Sequence, residues 1–150
     1  MEWALKSFDE LTTAELYEIL ALRCEVFVVE QNCPYLDPDG LDLQSLHFFT
    51  RIDGEIAAYL RMLPAGFVYE SPALGRFITS QKHRRTGLGR QALRAAIKTL
   101  FEQWDCDRLE LSAQTYLLDF YRSEGIEPLG EPYLEDGIEH IHMVCYREKS

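Results

Sequence analysis

The run from Ala73 to Trp104 constrains this chain most, because it reads without interruption as a strand, a basic loop with two glycines, and a long helix. Its first part, ALGRFITS, holds the strongly β-favouring Phe77-Ile78-Thr79. From Leu88 onward the apolar residues are Leu88, Ala92, Leu93, Ala96, Ile97, Leu100, Phe101 and Trp104. That spacing makes one face of an amphipathic helix. Arg108 to Ala113 then alternates as a strand, with Leu109, Leu111 and Ala113 on one side and Glu110, Ser112 and Gln114 on the other. A strand, a long helix and a strand in that order imply a parallel crossover and a mixed α/β architecture.

The loop between the first strand and the helix is Arg84-Arg85-Thr86-Gly87-Leu88-Gly89. Glycine permits positive φ and lets backbone N–H groups approach a ligand closely. At a helix N-terminus those groups and the macrodipole favour negative charge, so the loop reads as an anion site for a pyrophosphate. The chain carries a net charge of -10, yet Lys82, Arg84, Arg85, Arg90, Arg94 and Lys98 place six of its 15 Lys and Arg residues in one short stretch. An anionic ligand explains such a local cluster in an acidic chain. Arg94 and Lys98 read instead as a solvated helix face.

Arg84-x-x-Gly87-x-Gly89, after a strand and opening a helix, resembles the acyl-CoA pyrophosphate loop of the GNAT acetyltransferase superfamily. LRCEVFVVEQNCPYLDPDGLD (Leu22–Asp42), LSAQTYLLDFYRSEGI (Leu111–Ile126) and EDGIEHIHM (Glu135–Met143) are similar to the ElaA-like branch, so the resemblance spans nearly the whole chain. It implies a centrally splayed mixed sheet of six to seven strands flanked by about four helices. It also implies acetyl-CoA as cosubstrate, no metal, and transfer of acetyl to a small-molecule or peptide amine by direct attack in a ternary complex.

By this resemblance, Phe77, Ile78 and Thr79 offer backbone to the pantetheine, with one N–H polarising the thioester carbonyl. Arg84, Arg85, Thr86, Gly87, Leu88, Gly89 and Arg90 hold the pyrophosphate. Tyr121 matches the tyrosine that protonates the departing sulfur, although Ile126 stands where the family usually shows an aromatic residue. Arg23 and Glu30 lie near the acceptor, and Asp42, His47, Gln114 and His142 come from segments expected to converge there.

An alkylamine has a pKa of about 10.4, so a base must take its proton before attack. Glu110, pointing off the strand beside the splay, is the first candidate. Glu30, Asp42, His47, His140 and His142 are further ones. His140 and His142 share a strand face, but no carboxylate or thiol stands at a fixed metal-ligand spacing from them.

The chain's 150 residues, 47% hydrophobic and 27% charged, suit one ordinary globular domain over residues 1–150. No run is long enough for a transmembrane helix, and MEWALKSFDEL lacks the regions of a signal peptide, which points to the cytoplasm and away from membranes. The acidic balance argues against nucleic acid and suits a cationic substrate. A homodimer is expected from the prevalence of twofold oligomers.

Cys24, Cys33, Cys106 and Cys145 form no C-x-x-C pair and read as reduced thiols, Cys24 on a core stripe and Cys33 exposed. Asp37-Pro38-Asp39-Gly40-Leu41-Asp42 suggests a calcium loop, but Asp42 replaces the sixth-position glycine and Phe48 the twelfth-position glutamate. As an acidic loop beside a cleft it could hold an ammonium group, or it could be a solvated turn.

Elsewhere, Trp3 to Phe8 suits a first strand, and Thr12-Thr13-Ala14-Glu15 fits a capping box opening a helix that buries Leu16, Ile19, Leu20, Cys24 and Phe27. Asp53-Gly54 joins His47–Ile52 and Glu55–Leu63 as a hairpin, with Ile56, Ala58, Leu60 and Met62 on one face. Leu117–Glu124 reads as a short helix closed by Gly125, followed by an antiparallel pair, Ile126–Gly130 and His140–Tyr146.

Two other functions fit parts of the pattern. Gly87-Leu88-Gly89-Arg90-Gln91-Ala92 matches G-x-G-x-x-A, with Glu110 at the distance of a ribose-binding acid. A dinucleotide oxidoreductase would place its first glycine directly after the strand, whereas Gln81 to Thr86 intervene. A non-catalytic acyl-CoA sensor would share the loop but release no CoA.

Overall fold

The computed structural model describes residues 1–148. Its eight strands are β1 (Ala4–Ser7), β2 (Leu46–Ile52), β3 (Glu55–Leu63), β4 (Ala73–Thr79), β5 (Arg108–Gln114), β6 (Glu127–Pro128), β7 (Tyr133–Glu135) and β8 (Ile138–Tyr146). Three α-helices accompany them: α1 (Thr13–Arg23), α2 (Leu88–Gln103) and α3 (Leu118–Ser123). The sheet runs β1-β2-β3-β4-β5-β8-β6, with β7 also on β8. Every pairing is antiparallel except β4 with β5, the two strands that α2 connects.

The sheet is therefore one strand larger, and the helix set one smaller, than expected. β7 is the added strand, too short to show alternation in the sequence. Residues Cys24–Glu30 continue α1 as a π-helical segment.

Local chemistry explains the elements. The Thr12 hydroxyl accepts from the Glu15 N–H at 3.0 Å, while the Glu15 carboxylate accepts from the Thr12 N–H at 2.8 Å, closing the capping box of α1. Asp53 and Gly54 adopt φ of 52° and 81°, the left-handed pair a tight hairpin needs. Gly87, at φ 86°, caps the N-terminus of α2.

Leu88, Ala92, Leu93, Ala96 and Leu100 then pack against Ala58, Leu60 and Met62 of β3 in the larger core. On the opposite face Ile19 joins Tyr59, Phe49 and Ile78, with Leu22, Val26 and Phe27 beside them. Ile56 packs in this second cluster, not with Ala58, Leu60 and Met62 as expected. β3 is covered on both faces, so its apolar run does not reveal sidedness.

Two cysteines are reversed from expectation. The wider π turn rotates the stripe, so Val26 and Phe27 follow Leu22 inward and Cys24 faces solvent. Cys33 is buried, and its Sγ donates to the Asp136 carbonyl at 3.3 Å.

The feature that shapes the site is the β4–β5 junction. Its ladder register holds a single pair, Ala73 with Glu110, backed by the Glu110 N–H bond to the Pro72 carbonyl at 3.0 Å. Beyond that pair the strands diverge. On its other edge β4 carries a bulge: Tyr59 pairs with Ile78 and Arg61 with Gly75, so Leu60 stands opposite both Arg76 and Phe77. Arg76 takes φ 50° there.

Candidate active site

A cleft of about 800 Å³ occupies the divergence between β4 and β5. At one end it meets the N-terminus of α2. A Cβ on Gly89 would stand 3.0 Å from Thr79 Oγ1, so the absence of a side chain lets the helix start close against β4. The Leu88 N–H reaches Thr86 Oγ1 at 3.4 Å, and helical bonding begins with Gln91 N–H to the Gly87 carbonyl. Among the described residues, the N–H groups of Gly87, Gly89 and Arg90 bond no backbone carbonyl. They border a hollow lined also by Thr79, Arg85 and Phe120. Open amides at a helix terminus, in a cradle one Cβ would crowd, fit a diphosphate.

The basic side chains divide their work. Arg84 forks onto the Glu30 carboxylate and donates through Nε to the Thr79 carbonyl at 3.1 Å. That bond from Arg84 is the main reason Glu30 titrates below the usual glutamate range. Glu30 thus sits at the α2 end of the cleft, tied to the basic loop.

Arg85 is exposed and has no carboxylate partner among the described residues. Arg90 binds Glu124 and Ser123 and lies 5.1 Å above the Phe120 ring, so its head group is already engaged. Arg94 shares Glu124. It belongs to the helix surface, as expected.

Tyr121 is 6% exposed, lines the cleft, and packs edge-on to Phe77 and Phe120. Burial, with a smaller contribution from Tyr116, raises its phenol pKa above the ordinary value. The hydroxyl therefore stays protonated at neutral pH and is available as a donor.

Three residues expected at the acceptor are structural instead. Arg23 is 0% exposed. It donates to Asp37 Oδ2 at 2.8 Å and to Asp42 Oδ1 and Oδ2 at 2.6 and 3.2 Å. Asp42 is buried between Arg23 and Arg61. His47 is fully buried: Nε2–H donates to the Asp42 carbonyl at 3.0 Å, leaving Nδ1 to accept from the Tyr59 hydroxyl at 2.7 Å. Burial holds that imidazole below its usual pKa.

The acidic loop is neutralised in the same way. Asp39 takes Arg61 on both oxygens, and Arg76 Nε stands 2.9 Å from Asp37 Oδ1. Asp37 and Asp42 are sealed by arginines and leave no open carboxylate cage for an ammonium.

Glu110 shares a strand face with Ser112 and Gln114, but only those two line the cleft. Glu110 sits at the closed vertex, 8% exposed, 2.9 Å from His142 Nε2 in an ion-pair contact not aligned for a hydrogen bond. Tyr69 stacks on the His142 ring at 4.7 Å. His142 thus supports the vertex from behind.

Sequence reasoning missed Arg61, Arg76, Tyr69 and Glu135, which do line the cleft. No local signal marks them, since Arg61 interrupts an apolar strand and Arg76 depends on a bulge. His140, which also lines the cleft, was visible only as one of several possible bases.

A sheet split after one parallel pair, a bulged β4 and a helix N-terminus open to the gap make up the GNAT N-acyltransferase fold. Residues 35–147 match the family model described as the acetyltransferase (GNAT) domain. The chain belongs to that family, in its ElaA-like branch. It is 41% identical to Protein ElaA of Escherichia coli over 145 residues, 95% of either chain. The crystal structure of E. coli ElaA superposes with a TM-score of 0.89 at 40% identity, covering 96% of this chain and 98% of that one. An acyl-CoA N-acyltransferase from Pseudomonas aeruginosa superposes with a TM-score of 0.90, also at 40% identity and with the same coverage.

Proposed function

We propose that the chain is an acetyl-CoA-dependent N-acetyltransferase that moves the acetyl group to an amine within a ternary complex. The observation that carries this reading is the set of open N–H groups at Gly87, Gly89 and Arg90, at one end of the same cleft that Tyr121 of α3 lines. Those amides and Arg85 hold the diphosphate, and Arg84 joins them once Glu30 is displaced. The β4 edge from Phe77 to Thr79 faces the gap where β5 no longer pairs with it, so its backbone is free to bind the pantetheine amides.

Acetyl-CoA supplies an activated acyl carbon and a thiolate leaving group. Tyr121, protonated and partly desolvated, donates to the sulfur as its charge develops. Gln114 on β5 also lines the cleft, and in this reading it faces the acceptor. Among the described residues no helix is long and apolar enough to cross a membrane. The arrangement suits an enzyme meeting its acceptor in solution.

Two measurements test the reading. Acetyl-CoA at millimolar concentration raises the melting temperature of the wild type, and an unchanged value overturns the cofactor assignment. Tyr121→Phe lowers kcat by about 10²-fold while acetyl-CoA affinity stays level. An unchanged kcat removes Tyr121 from the mechanism. Binding without CoA release to any amine would identify a sensor instead.

A further inference from the structure

Glu110 does not line the cleft, so the amine's proton needs another acceptor, and the β7–β8 hairpin supplies one. His140 on β8 is 9% exposed and lines the cleft opposite Gln114 in the ladder. Its Nδ1 lies 2.7 Å from the Ile138 carbonyl, which can only accept, so Nδ1 carries the hydrogen and Nε2 of the neutral ring carries the lone pair. Nε2 stands 3.4 Å from Glu135 Oε2, long for a charge-assisted hydrogen bond. The Tyr133 ring stacks on the imidazole at 6.2 Å and fixes its plane.

An N–H donor arriving from the cleft meets two acceptors there, Nε2 and the Glu135 carboxylate. Glu135 and Asp136 make this rim acidic, and neither is neutralised by an arginine as Asp37, Asp39 and Asp42 are. Leu36, Val68 and Tyr116 line the same cleft yet are at least half exposed. They leave apolar surface in that cleft for an acceptor's body to cover.

We infer that His140 is the proton acceptor for the incoming amine, that Glu135 receives it as an ammonium, and that the acceptor class is a primary amine on an apolar or aromatic body without a carboxylate. The assignment rests on the acyltransferase reading above. His140 Nε2 takes one proton from the ammonium and passes it to solvent beside the exposed Glu135. The free amine then forms its N–C bond to the acyl carbon as the C–S bond breaks. The thiolate takes the Tyr121 proton, and the second proton lost by nitrogen restores Tyr121 through water. One proton is released per turnover.

The test compares phenethylamine with 2,2,2-trifluoroethylamine, which is already neutral at pH 7, in a thiol-release assay with acetyl-CoA. His140→Gln lowers kcat/KM for phenethylamine by about 10²-fold but for trifluoroethylamine by less than about threefold. It also moves the acidic limb of the phenethylamine pH–rate profile up toward the amine's own pKa of about 10, because only the free amine then reacts. Glu135 and Tyr133 are the titratable groups facing the ring, and Glu135→Gln raises KM for phenethylamine while leaving the limb at its wild-type position.

Equal losses for both amines, or a limb left at its wild-type position in His140→Gln, overturn the proton-acceptor role. A wild type that is stabilised by acetyl-CoA but leaves phenethylamine unacetylated overturns the acceptor class. Failure to bind acetyl-CoA overturns the underlying reading instead.

Discussion

Replacing Arg23 with leucine tests the buried ionic cluster beneath the cleft most directly. The Arg23 and Asp37 side chains are 0% exposed and that of Asp42 is 10%. The substitution deletes a guanidinium with hydrogen bonds to both carboxylates. Burial opposes the charged form of Arg23, but its bond to Asp42 and the surrounding negative charge more than compensate and raise its pKa.

Removing one member of such a buried set costs about 3–5 kcal/mol, because the remaining charges are left desolvated. Arg76 still faces Asp37 at 2.9 Å and Arg61 still faces Asp42 at 3.1 Å, which places the expected cost near the lower figure, about 3 kcal/mol. For a chain of this size that lowers Tm by about 10 °C.

Urea unfolding followed by circular dichroism measures the loss as a shift in midpoint at constant slope. Arg23→Lys keeps the charge but not the planar fork and falls between wild type and Arg23→Leu. Lys82→Ala, which breaks the exposed pair with Glu55, changes stability by less than about 0.5 kcal/mol. A loss below about 1 kcal/mol for Arg23→Leu would refute the claim that this cluster is a buried, mutually dependent unit.

Acid should weaken the same cluster. Burial alone would raise the Asp39 carboxyl, but hydrogen bonds from Arg61 and the Leu41 N–H bring it to about 2, and Arg23 similarly holds Asp42 below its usual range despite burial. A depressed folded-state pKa stabilises above the unfolded value, so stability falls as pH drops from about 4 toward about 2; a flat denaturation midpoint across that interval would contradict it. Gly87→Ala, forced to keep φ near 86° in open space, loses about 1–2 kcal/mol in urea titration, and no loss would show that the loop relaxes freely. Glu30→Gln frees Arg84 and tightens acetyl-CoA binding by about threefold in calorimetry; weaker binding would assign Glu30 a direct supporting role.

Local signals in the sequence located most of the scaffold. Thr12 and Glu15, Asp53-Gly54, and the strand–loop–helix through Gly89 each carry their geometry within a few residues, and the structure has all three. What escaped depends on distant partners. Arg23 is expected near the acceptor because the acids that bury it come from a later loop. Asp37, Asp39 and Asp42 look like an open anionic loop until Arg61 and Arg76 arrive from β3 and β4.

The π turn after Arg23 displaces the expected stripe and leaves Cys24 exposed, while Cys33 is buried against the Asp136 carbonyl. Alternation puts Glu110 on the correct strand face, but its position along that face depends on where β4 and β5 part. Only the ladder register fixes that point.

That parting has a mechanical consequence. With one parallel bridge at Ala73 and Glu110, β1–β4 and β5–β8 are two half-sheets joined along a seam, and the packing of α2 must resist their separation. A molecule lying along the seam and bonding to both lips would splice the halves, so on occupation amide hydrogens flanking the gap would slow in exchange more than those elsewhere in the sheet.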